Sequence, residues 1–110
     1  MATVSPEIDA ILKQCKQALQ DLYGERFAGL VLYGSMARGD YHDESDIDLL
    51  VLLHGEVNPY REVWRIGEAL YPIQLEHCER VISAKAVSAE KYRDSKWSFF
   101  CHVRREGVAV

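Results

Sequence analysis

The sequence contains no long hydrophobic run, and this absence argues against a membrane-spanning protein. No apolar segment reaches the roughly 18 residues that a helix needs to cross a bilayer. The first residues, MATVSPEIDA, also lack the basic segment followed by an apolar segment that marks a secretory signal. These features predict a soluble, cytoplasmic protein without a membrane partner.

Cysteine is scarce, and its spacing argues against a disulfide or zinc framework. Cys15, Cys78 and Cys101 are odd in number and far apart, which is typical of reduced thiols in a cytosolic protein. His77 and His102 neighbour two of them, but adjacent residues of a strand point to opposite faces, and the C-x-x-C spacing of structural zinc sites is absent. We therefore expect free thiols and no zinc site.

The chain also lacks an excess of positive charge. It has 13 Lys and Arg against 17 Asp and Glu, a net charge of −4. This sign does not suit a protein that grips a nucleic-acid backbone, so direct nucleic-acid binding is not expected, although local basic clusters suffice for one nucleotide. The length of 110 residues suits one modest core, so residues 1–110 are predicted to form a single domain.

The spacing of apolar residues predicts helices alternating with strands. Ser5-Pro6-Glu7 is typical of a helix start, and Asn58-Pro59 repeats that signature. Short apolar runs bounded by glycine or polar residues predict buried strands. In chain order the predicted elements are helix 6–22, strand 27–33, strand 46–53, helix 59–70, one long or two short strands within 73–88, helix 88–92 and helix 97–105. This order describes an α+β fold, a two-layer α/β domain.

Two aspartates at the start of the second predicted strand form a candidate metal site. Asp46 and Asp48 are two residues apart, so their side chains leave the same face of the strand. Carboxylates held that close repel each other unless a cation lies between them. Paired hard oxygen ligands suit Mg²⁺ when a substrate phosphate and waters complete its coordination.

A glycine-serine turn supplies the complementary half of the site. Gly34 ends a strand and opens a helical turn, where backbone N–H groups and the Ser35 hydroxyl form a cradle for a phosphate. Together with the aspartates, this predicts a clamp for a metal-bound triphosphate. The alternative is an acidic, solvated hairpin loop. It explains Asp40, Asp43 and Glu44, but it explains poorly the two aspartates beside Ile47, where the strand enters the core.

These residues also resemble a known motif. Gly34-Ser35, ten residues and Asp46-x-Asp48 reproduce the G-S-x10-D-x-D signature of the minimal nucleotidyltransferases, which are relatives of the catalytic core of DNA polymerase beta. The fuller strings G-S-x-A-R-G and S-D-I-D-L-L-V are present over 34–39 and 45–51. The resemblance implies the nucleotidyltransferase fold, a small mixed β-sheet with helices packed on one side.

The resemblance also implies a reaction and assigns roles to residues. The implied activity is Mg²⁺-dependent transfer of NMP, with ATP as the donor of AMP, to a hydroxyl acceptor, which makes the protein a candidate protein adenylyltransferase. Gly34 and Ser35 would hold the β and γ phosphates, and Asp46 and Asp48 would hold Mg²⁺ and serve catalysis. The two remaining motif residues expected at the nucleotide are Arg38, which steadies a phosphate or braces the turn, and Ser45.

One position departs from the family pattern. Members usually have a third carboxylate in a string like V-D-V-V-S, and the matching string here is A-K-A-V-S, with Lys85 in place of the acid. Loss of that acid removes a metal ligand and the activator of the acceptor hydroxyl. Glu76 and Glu79 are candidate substitutes, or surface charges. Lys85 itself is a candidate partner for the triphosphate or for Asp46.

Three biological roles agree with this pattern. Members of the family accompany HEPN-type ribonuclease toxins, so the first hypothesis is an antitoxin that modifies such a partner with AMP, in some systems on a tyrosine. The second is a protein of weak or no catalytic activity that neutralises its partner by direct binding. The third, transfer to a small molecule, needs an additional domain for which the chain has no room.

Aromatic residues near the C-terminus and in the helix from residue 59 are candidate binding groups. The candidate partner surface consists of Tyr92, Trp97, Phe99 and Phe100, of which Trp97 and Phe100 are expected in the core. Tyr60, Trp64 and Tyr71 are candidate base-stacking residues, although their helical spacing is more typical of core positions. A homo-oligomer is also compatible with the sequence.

Overall fold

The computed structural model describes residues 5–38 and 46–110, and these form one mixed sheet with helices on both of its faces. Strands β1 (Phe27–Tyr33), β2 (Ile47–Leu53), β3 (Ile82–Ser88) and β4 (Val108–Ala109) lie in the order β3-β2-β1-β4. β1 pairs antiparallel with β2 and β4, whereas β2 and β3 run parallel. The predicted mixed sheet is therefore confirmed.

The larger core lies under two long helices on one face of the sheet. Helix α1 (Pro6–Tyr23) begins at Ser5, whose hydroxyl accepts a hydrogen bond from the Ile8 N–H at 3.3 Å. Helix α3 (Pro59–Glu76) begins at Asn58 in the same manner. Their apolar stripes pack on alternate residues of β1 and β2. The largest side chains buried in this core include Ile8, Ile11, Leu19, Leu30, Leu32, Met36, Leu49, Val51 and Ile66.

A smaller core lies on the opposite face. Helix α5 (Ser98–Glu106) places Phe100 and Val103 against Val31 of β1 and Leu50 of β2. The prediction of helices on one side therefore holds for α1 and α3, and α5 is the exception. It follows a short helix, α4 (Ala89–Asp94), which Ser88 caps as predicted. α5 reaches this face because the chain leaves β3 at the sheet edge and crosses back towards β1.

The predicted strand within residues 73–81 is wrong, because α3 continues through Pro72 to Glu76. A proline inside a helix removes one backbone hydrogen bond. Packing and side-chain bonds outweigh that loss here. Ile73 packs on the main core, and the Gln74 amide donates to the Arg80 carbonyl at 2.6 Å and accepts from the Ile82 N–H at 2.8 Å. Gln74 thus joins the end of the helix to the start of β3.

Candidate functional site

The site is formed where β1 ends and β2 begins. Gly34 follows β1 with φ +78°, a left-handed conformation that favours glycine, and leads into α2 (Ser35–Arg38), a single helical turn. The Gly34 carbonyl accepts hydrogen bonds from the Ala37 and Arg38 N–H groups at 3.1 and 3.2 Å. Because Met36 and Ala37 are buried in the main core, the turn is anchored on one side. The first N–H groups of such a turn have no partner within it and attract anions.

The structure brings Asp48 directly against this turn. In the antiparallel ladder Asp48 lies opposite Tyr33, the residue before Gly34. A Cβ atom placed on Gly34 would be only 2.5 Å from the Asp48 Oδ2 atom. The absence of a side chain at residue 34 therefore lets the carboxylate approach the turn. Asp46 is exposed just before β2, and the alternation of side chains along the strand directs it to the same face as Asp48.

The electrostatics of the pair are unfavourable without a cation. Burial, followed by the nearby Asp46 carboxylate, raises the pKa of Asp48 above its usual value, and Lys85 acts in the opposite direction. Burial and the Asp48 carboxylate likewise raise the pKa of the Tyr33 phenol. A divalent cation between the carboxylates would relieve this repulsion.

The donor set fits Mg²⁺ held jointly with a nucleotide. Asp46 and Asp48 offer hard carboxylate oxygens on one face. Within 5–38 and 46–110, no group of three or more His, Cys, Asp or Glu side chains is placed to hold a metal ion on its own. Mg²⁺ commonly binds through one or two carboxylates, with phosphates and waters supplying the remaining ligands. Two carboxylates beside an amide-lined turn match that arrangement.

Lys85 occupies the same face as the aspartates, one strand away. β3 pairs with β2 so that Ser83 lies beside Asp48 and Lys85 beside Leu50. Lys85 is therefore offset by two residues from Asp48, and it is exposed. The candidate substitutes for the missing acid are not brought to this face. Glu76 and Glu79 lie around His77, which hydrogen-bonds to Gln14 of α1 on the other side of the sheet.

Two further residues, Arg38 and Ser45, were predicted to lie at the nucleotide, and the structure describes only the first of them. Arg38 is exposed at the end of α2 and forms an ion pair with Glu106 of α5 at 3.8 Å, so it braces the turn against that helix. Arg38 also lines a cavity of about 360 Å³ together with Gly34. Ser45 lies outside the described residues, as do Asp40, Asp43 and Glu44.

Helix α5 contributes side chains to the site that the sequence pattern did not predict. Tyr33, Phe99, His102 and Glu106 line the same 360 Å³ cavity beside Gly34. Phe99, His102 and Glu106 recur at helical spacing, and this pattern predicted the helix but not the sheet face that it crosses. A second cavity, of about 310 Å³, lies beside Lys85 and is lined largely by aromatic and aliphatic side chains.

The positions of the aromatic residues differ from expectation. Phe100 is buried as predicted, but Trp97 is 61% exposed. Tyr60, Trp64 and Tyr71 were expected in the core and are instead exposed along one side of α3, with Trp64 at 80%. These three, with the exposed Val63 and Leu75, form what we call the α3 apolar face. A face of this kind is unusual in an isolated protein and is typical of a binding surface.

Comparison with known proteins agrees with the geometry. The model of the nucleotidyltransferase domain family matches residues 12–96. A Methanocaldococcus jannaschii protein named "Putative protein adenylyltransferase" is 31% identical over 104 residues, which cover 87% of this chain and 90% of the relative. A second protein of that organism with the same description is 40% identical over 47 residues, 43% of this chain and 48% of that relative.

Solved structures share the fold. The crystal structure of a "putative nucleotidyltransferase" from Sulfolobus solfataricus has a TM-score of 0.59 at 20% identity and covers 91% of this chain and 78% of that one. A chain from the crystal structure of a toxin-antitoxin with AMP-PNP has a TM-score of 0.62 at 18% identity, covering 88% of this chain and 69% of that one. The family match over residues 12–96 and the relative that is 31% identical show that this chain belongs to the nucleotidyltransferase domain family.

Proposed function

We propose that the protein transfers AMP from ATP to a hydroxyl group of a partner protein, in a reaction that requires Mg²⁺. The supporting observation is the approach of the Asp48 carboxylate to Gly34, because a metal ion on this carboxylate and a phosphate at the turn would then be neighbours. Adenylyl transfer is favoured because the relatives are named as protein adenylyltransferases and a structural neighbour was solved with AMP-PNP.

In the proposed reaction, one group of residues binds the phosphates and another binds the metal ion. The turn at Gly34 and the Ser35 hydroxyl bind the β and γ phosphates, with Arg38, and Ser45 by motif, assisting. Asp46 and Asp48 hold Mg²⁺, which when bound neutralises charge on the phosphate oxygens. The acceptor oxygen forms a bond to the α-phosphorus as the bond to the β-phosphate bridging oxygen breaks. Pyrophosphate leaves with the electron pair, and the hydroxyl proton passes to solvent.

The proposed partner is a HEPN-type ribonuclease toxin, with this chain as its antitoxin. The α3 apolar face supplies an exposed surface for a protein partner, and a structural neighbour comes from a toxin-antitoxin structure. None of the described helices is long and apolar enough to span a bilayer. Dependence on ATP, together with cysteines that are free in the structure, is consistent with the cytoplasm as the site of action.

The test combines the partner, this protein, ATP and Mg²⁺ and measures the intact mass of the partner. The expected result is a gain equal to one AMP group, which Asp46→Asn with Asp48→Asn abolishes. Glu25→Gln is the matched control because it removes a negative charge from the opposite end of β1. An unmodified partner with the unaltered protein, or equal modification by the double variant, would contradict the proposal.

A second candidate function is neutralisation by binding alone. It is favoured by Lys85, which lies on the aspartate face in place of the family's third carboxylate. The two functions make different predictions for the variant with both aspartates replaced. Full neutralisation of the partner by that variant supports binding alone, whereas loss of neutralisation supports AMP transfer.

A further inference from the structure

The outer edge of β3 is unpaired within the described parts of the chain. β3 is the last strand of the sheet, and its neighbour is β2. The Val81 carbonyl accepts a hydrogen bond from the first N–H of β2 at 2.9 Å. Because peptide groups alternate sides along a strand, Ile82, Ala84 and Ala86 direct theirs away from β2. The Ile82 N–H donates to Gln74, so Ala84 and Ala86 are left to offer donors and acceptors to a further strand.

The α3 apolar face borders this edge. A cavity of about 290 Å³ is lined by Val63, Gly67 and Tyr71 of α3 together with Ile82 and Ala84 of β3. The exposed side of the helix and the outer part of the strand therefore form one continuous surface. A protein that pairs with β3 would also contact α3.

Gly67 lies near the centre of the α3 apolar face. Together with Trp64 and Tyr71, it lines another cavity, of about 620 Å³. Glycine inside a helix costs stability relative to alanine. Packing among the described residues does not require it, because none of their heavy atoms lies within 4 Å of the place that a Cβ atom would take. The close approach of a second helix would account for the glycine.

A second copy of this chain fits both halves of the surface at once. Gly67 and Ala84 line the same cavity, so a two-fold axis perpendicular to the sheet can pass near both. That axis sets α3 antiparallel to its copy and β3 antiparallel to its copy. Trp64 and Tyr71 lie three and four residues to either side of Gly67, so each meets the other in the second copy.

Charge selects the register of the paired strands. With Ala84 opposite Ala84 of the second copy, these two residues exchange hydrogen bonds, and Lys85 lies opposite Ser83. A shift that sets Ala84 opposite Ala86 would place the two copies of Lys85 opposite each other, where like charges repel. The first register is therefore favoured.

The exposed apolar area approaches what a stable dimer needs. Tyr60, Trp64 and Tyr71 are 83%, 80% and 60% exposed. With Val63 and Leu75 they offer roughly 600 Å² of side-chain surface before the strand edge is counted. A standard interface buries roughly 800 Å² per partner. The net charge of −4 on each chain opposes association, so we expect the dimer to form in the micromolar range.

We propose that the free protein forms a two-fold homodimer in which β3 pairs antiparallel with β3 of the second copy and the α3 apolar faces pack around Gly67. The four-stranded sheet of each chain then continues across the axis. This inference does not depend on the proposed function. It bears on that function, because a toxin partner would need the same face and would compete with the second copy.

Sedimentation equilibrium of the protein alone, from about 1 to 100 μM, is the first test. The expected mass rises from that of one chain, 12.6 kDa, to twice that value, with a dissociation constant of about 10 μM. At or below about 1 μM the single chain predominates, so unfolding measured there reports one chain. The mass of one chain at all concentrations would overturn the inference.

Two variants test the two halves of the interface. Gly67→Gln adds bulk where the helices meet, and the single chain has room for it. Ala84→Pro removes an outward N–H, and an edge strand accepts proline at such a position. Each should raise the dissociation constant at least tenfold while the far-ultraviolet circular dichroism is retained. Ala10→Gln, which adds the same side chain at an exposed position of α1, should leave the dimer unchanged.

An unchanged dissociation constant with Gly67→Gln would overturn the packing of α3 on its copy. An unchanged constant with Ala84→Pro would overturn the pairing of β3. Transfer of AMP to the partner is measured separately by intact mass, so failure of the dimer and failure of the proposed function are distinguishable.

Discussion

Gly34 meets two separate structural demands. Its φ of +78° is costly for a residue with a side chain, and a Cβ atom would overlap the Asp48 carboxylate at 2.5 Å. Gly55 meets only the first demand, because φ is +87° there and no heavy atom lies within 4 Å of the place that a Cβ atom would take. Alanine substitutions at the two glycines therefore distinguish two effects. Both report the conformational cost of a side chain at positive φ, and only the one at Gly34 also reports the overlap with the Asp48 carboxylate.

Gly34→Ala is expected to displace Asp48 and to weaken Mg²⁺-ATP binding at least tenfold. Gly55→Ala should show the backbone cost of about 1–2 kcal/mol in free energy of unfolding but keep nucleotide affinity. Calorimetric titration and urea unfolding measure the two quantities. Similar nucleotide affinities in both variants would contradict the role assigned to Gly34.

The raised pKa of Asp48 predicts a pH-dependent effect on stability. A carboxyl group whose folded pKa exceeds its unfolded value makes the folded state bind more protons between those values, so stability falls as pH rises through that window. Asp48→Asn should therefore be more stable than the unaltered protein at pH 7 without Mg²⁺ or nucleotide. The difference should shrink below pH of about 4.

Urea unfolding at both pH values measures this difference. Glu25→Gln removes one negative charge elsewhere and reports the effect of net charge alone. If Asp48→Asn gains no more stability than Glu25→Gln at pH 7, burial and the neighbouring Asp46 carboxylate do not raise the pKa of Asp48 in the folded protein.

The sequence predicted the shared face of Asp46 and Asp48, because strand alternation is a local property. It also predicted that the aspartates and the Gly34 turn form one clamp. It did not predict that Asp48 in particular lies against Gly34, since that depends on the register that pairs Asp48 with Tyr33. The G-S-x10-D-x-D motif of the family indicates this contact indirectly, because its fixed spacing goes with one register of β1 against β2. The position of His102 and Glu106 beside Gly34 was not predictable, since helical spacing does not show which face of the sheet a helix covers.

Helices α1 and α3 are joined by a buried polar contact. The Tyr23 hydroxyl donates to a Glu62 oxygen at 2.7 Å, and Glu62 is only 3% exposed. Arg65 lies 3.4 Å from the same oxygen, and its guanidinium stacks 5.3 Å from the centre of the Tyr23 ring. Burial, then the bond to Glu62, raises the pKa of Tyr23, so the phenol stays protonated as a donor. The contact orients two helices whose other packing is apolar.

Tyr23→Phe should cost about 1–3 kcal/mol of unfolding free energy, because it leaves a buried carboxylate oxygen with one partner fewer. Adding Glu62→Leu should recover part of that loss, since no buried charge then remains. Tyr60→Phe on the exposed side of α3 is the control. Urea unfolding of the four proteins checks this, and a Tyr23→Phe cost below about 0.5 kcal/mol would contradict it.

The exposure of aromatic residues on α3 was not predictable from periodicity. Helical spacing shows that Tyr60, Trp64 and Tyr71 lie on one side of α3. The helix has a second apolar side, however, and only that side, which bears Ile66 and Leu70, packs on the sheet. The C-terminal end of α3 was predicted too early, before Pro72, for a related reason. A proline signals a helix end locally, whereas Gln74 and the core contacts act over a longer distance.

Trp64→Glu with Tyr71→Glu should abolish association with the proposed partner while changing unfolding free energy by about 0.5 kcal/mol or less. Both side chains are exposed, so the fold does not depend on burying them. Size-exclusion chromatography with the partner measures association, and Mg²⁺-ATP affinity serves as the control. Undiminished association would exclude the α3 apolar face as the contact surface.

The sheet joins both cores into one structure. Leu49 faces the core under α1 and α3, and Leu50 faces the core under α5, so neighbouring residues of β2 serve opposite sides. β2 lies between β1 and β3 and has no free edge. Loss of β2 would expose both cores at once. Two continuous apolar runs predicted that β1 and β2 are buried strands. The second core under α5 was not predicted, because the expectation was one core with helices on one side of the sheet.

Residues 1–110 are therefore expected to unfold as one cooperative unit. In a Trp64→Phe background, which leaves Trp97 as the single tryptophan, urea transitions followed by far-ultraviolet circular dichroism and by tryptophan fluorescence should coincide, with an m-value of about 1–2 kcal/mol/M. Midpoints that differ by more than the fitting error would show that α5 and its smaller core unfold separately.

The two sides of the site differ in their freedom to change during evolution. The Asp48 carboxylate lies directly against Gly34, where a Cβ atom would overlap it. A side chain at residue 34 would therefore disturb both the turn and the carboxylate. Lys85 lies on β3, at the edge of the sheet, and is exposed, so we expect its exchange for an acid or an amide to change the stability of the fold little. Under the proposed function, a substitution at residue 85 would therefore change the charge beside the aspartates without disturbing the contact between Asp48 and Gly34.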